Sequence, residues 1–176
     1  MSVCARLAAS LLVACSTSCA WAQSYPAKPI RIIVPFPAGG PTDTQSRWAA
    51  EQLNKALGQP VVVENRAGAG GLTGTEAVAK AAPDGYTLVG GNPGPLTVAP
   101  HIRPKMSYQP ERDFAPVTLL ATASSMMCLH PTVPAKNIKE LIALARAQPG
   151  KINFASPGVG TVGHFGLELF KHMAGV

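Results

Sequence analysis

Ile30-Arg31-Ile32-Ile33-Val34, followed at once by Pro35-Phe36-Pro37-Ala38-Gly39-Gly40-Pro41 and then by a helical pattern over 42–57, is the stretch that decides the fold. A near-continuous β-branched run is what a strand buried on both faces of a parallel sheet requires. The prolines and glycines after it end the strand. Trp48, Gln52 or Leu53, and Leu57 then recur at four- and five-residue steps until Gly58 stops the helix. A second strand over 60–64, a glycine loop over 65–71, a short helix over 72–81, a turn at Pro83-Asp84-Gly85 and a third strand over 86–89 follow. The pattern is one βαβαβ unit of an α/β protein, which calls for right-handed crossovers and helices that cover the sheet.

Beyond this unit the composition changes. Pro93, Pro95, Pro100, Pro104, Pro110 and Pro116 crowd residues 92–116 too closely for a helix or a central strand, so this part is read as a crossing segment. Strands are predicted over 117–123, 126–129 and 152–155. Asn137-Ile138-Lys139-Glu140 resembles a capping box before a helix over 141–147, and a last helix over 162–173 ends before Gly175. Two strand-loop-helix turns look alike, one over 30–43 and one over 152–164. Each leads a buried strand through a Gly/Pro loop into a helix N-terminus, where free N–H groups and the dipole favour an anion. The echo suggests two lobes facing one ligand. One turn alone is too weak, since a dipole contributes ~0.3–1 kcal/mol and micromolar affinity needs ~8 kcal/mol. Several charge-assisted hydrogen bonds of ~1.5–3 kcal/mol each would close the gap.

The start of the chain reads as an export signal over 1–22: Arg6, an apolar stretch over 7–14, and the small-x-small pattern Ala20-Trp21-Ala22. Leu12-Val13-Ala14-Cys15 resembles a lipobox and supports a lipoprotein as the alternative. Cleavage after Ala22 removes Cys4, Cys15 and Cys19 and leaves Cys128, in the apolar run over 126–129, as a small buried hydrophobe. A net charge of +6 without a basic run favours anionic partners only weakly, and 6% aromatic residues leave few platforms for stacking nucleic-acid bases. No nucleic-acid partner is expected.

Catalytic and cofactor signatures are poor. Gly158-Val159-Gly160-Thr161-Val162-Gly163 fits the GxGxxG turn of an exported cofactor-binding enzyme, but the acidic residue expected ~20 positions further on would lie past Val176. Phe154-Ala155-Ser156-Pro157-Gly158 lacks the first glycine of a nucleophile elbow, and no GxxxxGK loop occurs. His164 and His172 are too far apart for an i, i+4 metal pair, and His101 and His130 sit beside prolines. The expectation is no catalysis, no cofactor and no metal.

Tyr25-Pro26-Ala27-Lys28-Pro29-Ile30-Arg31, Val34-Pro35-Phe36-Pro37-Ala38-Gly39-Gly40-Pro41-Thr42-Asp43 and Gly58-Gln59-Pro60-Val61-Val62-Val63-Glu64-Asn65-Arg66 resemble the Bug family. So do Gly68-Ala69-Gly70-Gly71, Pro83-Asp84-Gly85-Tyr86-Thr87-Leu88, Asp113-Phe114-Ala115-Pro116-Val117, and Ser156-Pro157-Gly158-Val159-Gly160-Thr161 with His164. These are the periplasmic solute receptors of tripartite tricarboxylate transporters. The resemblance implies a type II periplasmic-binding-protein fold, two α/β lobes closing on a small organic carboxylate that is passed to membrane permease subunits. It implies ligand contacts from Phe36, Ala38, Gly39, Gly40, Thr42 and Asp43 in a first loop, from Ser156, Gly158, Val159, Gly160 and Thr161 in a second, and from Asn92 after the third strand. Asp43 would cap its helix and, in members that take amino acids, receive the ligand ammonium. Residues 23–100 would be the first part of lobe 1, 101–116 the crossing segment and 117–176 the first part of lobe 2. Family members run to about twice this length, so the chain reads as an N-terminal fragment, either of a working receptor or of a non-functional truncated one. In such a fragment strand edges and apolar helix faces would stay uncovered.

Overall fold

The computed structural model describes residues 24–122 and 124–176. The expected signal over 1–22, with its three cysteines, lies outside the described residues, as does Ala123.

Strand β1 (Ile30–Val34) is central in a three-stranded parallel sheet of order β2-β1-β3. Ile32 sits opposite Val63 of β2 (Val61–Asn65) on one side and Leu88 of β3 (Thr87–Val89) on the other. Burial on both faces explains the β-branched run: Ile30, Ile32, Ile33 and Val34 are all buried, and Arg31 reaches solvent to pair with Glu64 at 2.6 Å. Pro60 lacks an N–H, so β2 starts one residue later than predicted, while the Pro60 carbonyl still accepts from the Ile30 N–H at 2.9 Å.

Helix α1 (Pro41–Leu57) packs against β1 and β2, and α2 (Leu72–Ala79) against β1 and β3. Proline at the first position of α1 suits a site whose N–H would be orphaned anyway, and Gly58 ends the helix in a left-handed conformation at φ 64°. The buried stripe of α1 is Ser46, Ala49 and Ala50, with Leu53 and Leu57 against Ile30, Ile32 and Val61. Trp48, read from the sequence as part of this face, is 61% exposed instead. Small residues fill the stripe because they let the helix lie close on the sheet.

The proline-rich stretch is more ordered than expected. A π turn (Gly94–Val98) runs into α3 (Ala99–Ile102), and α4 (Pro110–Asp113) follows. Pro95, Pro100 and Pro110 stand in first turns, where a missing N–H costs nothing. Helix α5 (Ile138–Ala147) carries the predicted cap: Asn137 accepts from the Glu140 N–H at 3.0 Å, and Glu140 reaches back to the Lys136 N–H at 2.7 Å. The last helix is α6 (Val162–Ala174), capped by Thr161 and closed by Gly175.

The strands predicted over 117–123, 126–129 and 152–155 do not form among the described residues. Val117, Leu119 and Met126 are 79%, 78% and 88% exposed. Cys128 is exposed too, against the buried position expected for it. A strand needs a neighbour to take its N–H and C=O groups, and the described sheet consists of β1 to β3 alone.

Candidate functional site

In the order β2-β1-β3 the chain leaves β1 toward one side and reaches β3 on the other. The loops after β1 and β3 diverge at the carboxyl ends of the strands, the position at which open α/β sheets hold ligands. Phe36, Ala38, Gly39, Gly40, Thr42 and Asp43 lie in the first of these loops and the start of α1, and Asn92 lies in the second.

Asp43 anchors the first loop. The N-cap of α1 is Gly40, and Asp43 is its third helical residue, which corrects the expectation that Asp43 is the cap. Its carboxylate reaches back to the Gly39 N–H at 2.8 Å, in the manner of an acidic residue in a capping box. It also accepts from Arg47 Nε at 3.0 and 3.1 Å and from Asn65 Nδ2 at 2.8 Å. Asn65 Nδ2 donates to the Phe36 carbonyl at 3.1 Å as well, and Asn65 Oδ1 accepts from Arg47 Nη2 at 2.9 Å. One network thus ties both ends of the loop to the end of β2. The Arg47 hydrogen bond, then those of Gly39 and Asn65, lower the Asp43 pKa to about 2, so the group is a carboxylate at neutral pH.

The loop after β3 is held from two sides. The Gly90 N–H donates to the Ile33 carbonyl at 2.8 Å, and Asn92 Oδ1 accepts from the Gly94 N–H at 3.1 Å. Asn92 Nδ2 stands 3.5 Å from Thr42 Oγ1, which bridges the two loops. The buried Tyr108 hydroxyl donates to the Pro95 carbonyl at 2.7 Å and fixes the π turn.

The second predicted loop folds around Thr161. Its hydroxyl donates to the Gly158 carbonyl at 2.7 Å and accepts from the His164 N–H, while the Ser156 hydroxyl accepts from the Gly158 N–H at 3.4 Å. Thr161 thereby caps α6 with a side chain that is 4% exposed. The N–H groups of Val162 and Gly163, in the first turn of α6, have no partner within that helix.

The structure brings these loops together through glycines. A Cβ on Gly70 would stand 3.0 Å from the Val159 carbonyl, and one on Gly94 would stand 3.1 Å from the Gly160 carbonyl. The ring of Phe36 lies over Gly71, where a Cβ would come within 2.9 Å. The loop of Ser156, Gly158, Val159, Gly160 and Thr161 therefore sits against the Gly70 loop and the π turn. Thr42 and Asn92 meet beside it, and Ala38 and Val159 are exposed. Sequence reasoning missed Arg47, Asn65, Gly70 and Gly94 as parts of this arrangement. Only the i, i+4 spacing of Asp43 and Arg47 signalled any of it. The GxGxxG reading of Gly158 to Gly163 lacks its required strand, because 152–155 is not one.

This parallel α/β fold is shared with solved periplasmic binding proteins, that of BugD among them, with a TM-score of 0.69 at 32% identity over 86% of this chain and 50% of that one. A family profile described as the tripartite tricarboxylate transporter family receptor matches residues 45–176, and the chain belongs to that family. Its members are solute receptors rather than enzymes. The matched span includes the Thr161 loop and begins just after Asp43. Protein BugT of Bordetella pertussis is 43% identical over 155 residues, covering 88% of this chain and 48% of its own length. The structure of R. palustris Rpa4515 with adipate superposes with a TM-score of 0.82 at 34% identity, over 86% of this chain and 51% of that one. MatC from Rhodopseudomonas palustris with bound malate gives 0.75 at 34% identity, over 86% and 52%. The chain thus spans about half the length of the relatives it matches, and the resemblance to Bug receptors holds. No helix among the described residues is long and apolar enough to cross a membrane.

Proposed function

We propose that the protein is an extracytoplasmic receptor, or the N-terminal part of one, that captures a small organic carboxylate and hands it to the permease of a tripartite tricarboxylate transporter. Residues 1–22 act as the export signal, and the receptor works in the periplasm. The carboxylate lies between the loop of Phe36, Ala38, Gly39, Gly40, Thr42 and Asp43 and that of Ser156, Gly158, Val159, Gly160 and Thr161, with Asn92 at the edge. Residues 23–100 and 117–176 begin the two lobes, and 101–116 cross between them.

The observation that carries this reading is the seating of the Thr161 loop on Gly70 and Gly94, beside the junction of Thr42 and Asn92. Two helix N-termini, those of α1 and α6, belong to these two loops, and N-terminal N–H groups favour an anion. Two relatives, solved with adipate and with malate, carry ligands of the same chemistry. Heating the protein with a panel of mono-, di- and tricarboxylates tests it. Ligand at a hundred times its dissociation constant adds ~2.7 kcal/mol to stability, so one member of the panel raises the melting temperature. No shift with any carboxylate, at concentrations well above micromolar, contradicts the proposal.

A further inference from the structure

Asp43 is the one acidic side chain of the first loop, and its acceptor capacity is already used. A carboxylate offers about four lone-pair positions. Oδ1 accepts from Arg47 Nε and Asn65 Nδ2, and Oδ2 from Arg47 Nε and the Gly39 N–H. The residue is 3% exposed, and its charge is matched by the Arg47 guanidinium. An ammonium group could bond to it only by displacing one of these donors: the Gly39 N–H or Asn65 Nδ2, which loosens the loop, or Arg47.

The network has a second effect. Asn65 Nδ2 ties the Phe36 carbonyl at the loop's start to Asp43 at its end. Gly39, at φ 84°, gives its N–H inward to Asp43, so this amide is not available to a ligand. The first turn of α1 is left to supply the donors, since Pro41 has no N–H and those of Thr42 and Asp43 have no partner within the helix.

We infer that Asp43, Arg47 and Asn65 position the first loop and that the enclosed carboxylate sets specificity: the site takes carboxylates that carry no ammonium group and disfavours amino acids. This rests on the carboxylate-receptor reading. An α-ammonium in the cleft finds the nearby negative charge already neutralised by Arg47, and burying an unpartnered charge is unfavourable.

Calorimetric titration of the protein with matched pairs tests the inference: succinate against aspartate, and glutarate against glutamate. The expected result is that the unaminated member of a pair binds at least tenfold tighter. Aspartate or glutamate binding equally well or tighter overturns the inference while leaving the carboxylate reading intact. If none of the four binds, and no other carboxylate of the panel shifts the melting temperature, both readings fall. Arg47→Ala supplies a readout that a merely structural role would not move. Arg47 is half exposed, and removing it leaves the Asp43 charge unmatched. The preference against the aminated ligand should narrow several-fold in this variant. An unchanged ratio, in a variant shown by circular dichroism to remain folded, overturns the assignment to Asp43.

Discussion

Gly74 faces the backbone that opens the first loop, and adding one methyl group there has a calculable consequence. A Cβ at Gly74 would lie 2.7 Å from the Arg66 carbonyl oxygen, 2.8 Å from Pro35 Cα and 2.9 Å from Pro35 Cβ, distances that real Cβ atoms essentially never show. Helix α2 would have to move away from the end of β1, because two of these three atoms are backbone. Overpacking of this kind costs ~1–3 kcal/mol, whereas Gly→Ala in a helix is otherwise favourable by ~0.5–1 kcal/mol. Gly166 on α6 is the control, since nothing lies within 4 Å of its Cβ position. Gly166→Ala should stabilise by ~0.5–1 kcal/mol. The propensity gain largely cancels between the two variants, so the gap between them is the overpacking cost, ~1–3 kcal/mol, or about 2–12 °C in melting temperature for a chain of this size. Urea denaturation of both variants beside the parent measures it. Equal midpoints, or a Gly74→Ala variant more stable than Gly166→Ala, would refute the close approach of α2 to Pro35.

Two helix caps separate stability from binding. Thr161→Ala and Asn137→Ala should each cost ~1 kcal/mol in denaturant melts, but only Thr161→Ala should weaken carboxylate binding, because Asn137 lies at α5, away from the loops. Equal affinities for the two variants would contradict the placement of the Thr161 loop in the site. Asp43 also makes a prediction about acid. Its pKa falls from 3.8 to about 2 in the fold, chiefly through Arg47. Its contribution to stability is therefore complete above 3.8 and lost as pH drops toward 2. In Asp43→Asn that part of the acid-induced loss should be missing. An identical stability profile between pH 5 and 2 would show that the carboxylate is not held as described.

The sequence made some of this structure readable and hid other parts for physical reasons. The run from Ile30 to Val34 announced a doubly buried strand because burial on both faces demands apolar residues without alternation. Asn137 with Glu140, Gly58 and Gly175 marked helix ends because caps are local chemistry, confined to a few adjacent residues. Strand formation over 117–123, 126–129 and 152–155 is not local. These apolar runs have the composition of strands, but a ladder requires a partner, and none pairs with them among the described residues. Trp48 misled because its spacing from Gln52 or Leu53 and Leu57 suggested one apolar face, whereas the close packing of α1 on the sheet selects Ser46, Ala49 and Ala50. The Asp43 network escaped reading because Asn65 is 22 residues away and meets Asp43 only once β2 is laid beside β1. The contacts of Gly70 with Val159 and of Gly94 with Gly160 likewise exist only in the folded chain.

In the proposed receptor a carboxylate sits between the first loop and the Thr161 loop. Titration of the ¹⁵N-labelled protein with succinate, adipate and malate, followed amide by amide, tests it most directly. The prediction is a saturable shift confined to the amides of Ala38, Gly40, Thr42, Val159, Gly160, Val162 and Gly163, with little change on α5. Saturable shifts elsewhere with these amides unmoved, or no shift with any of the three acids, would contradict it.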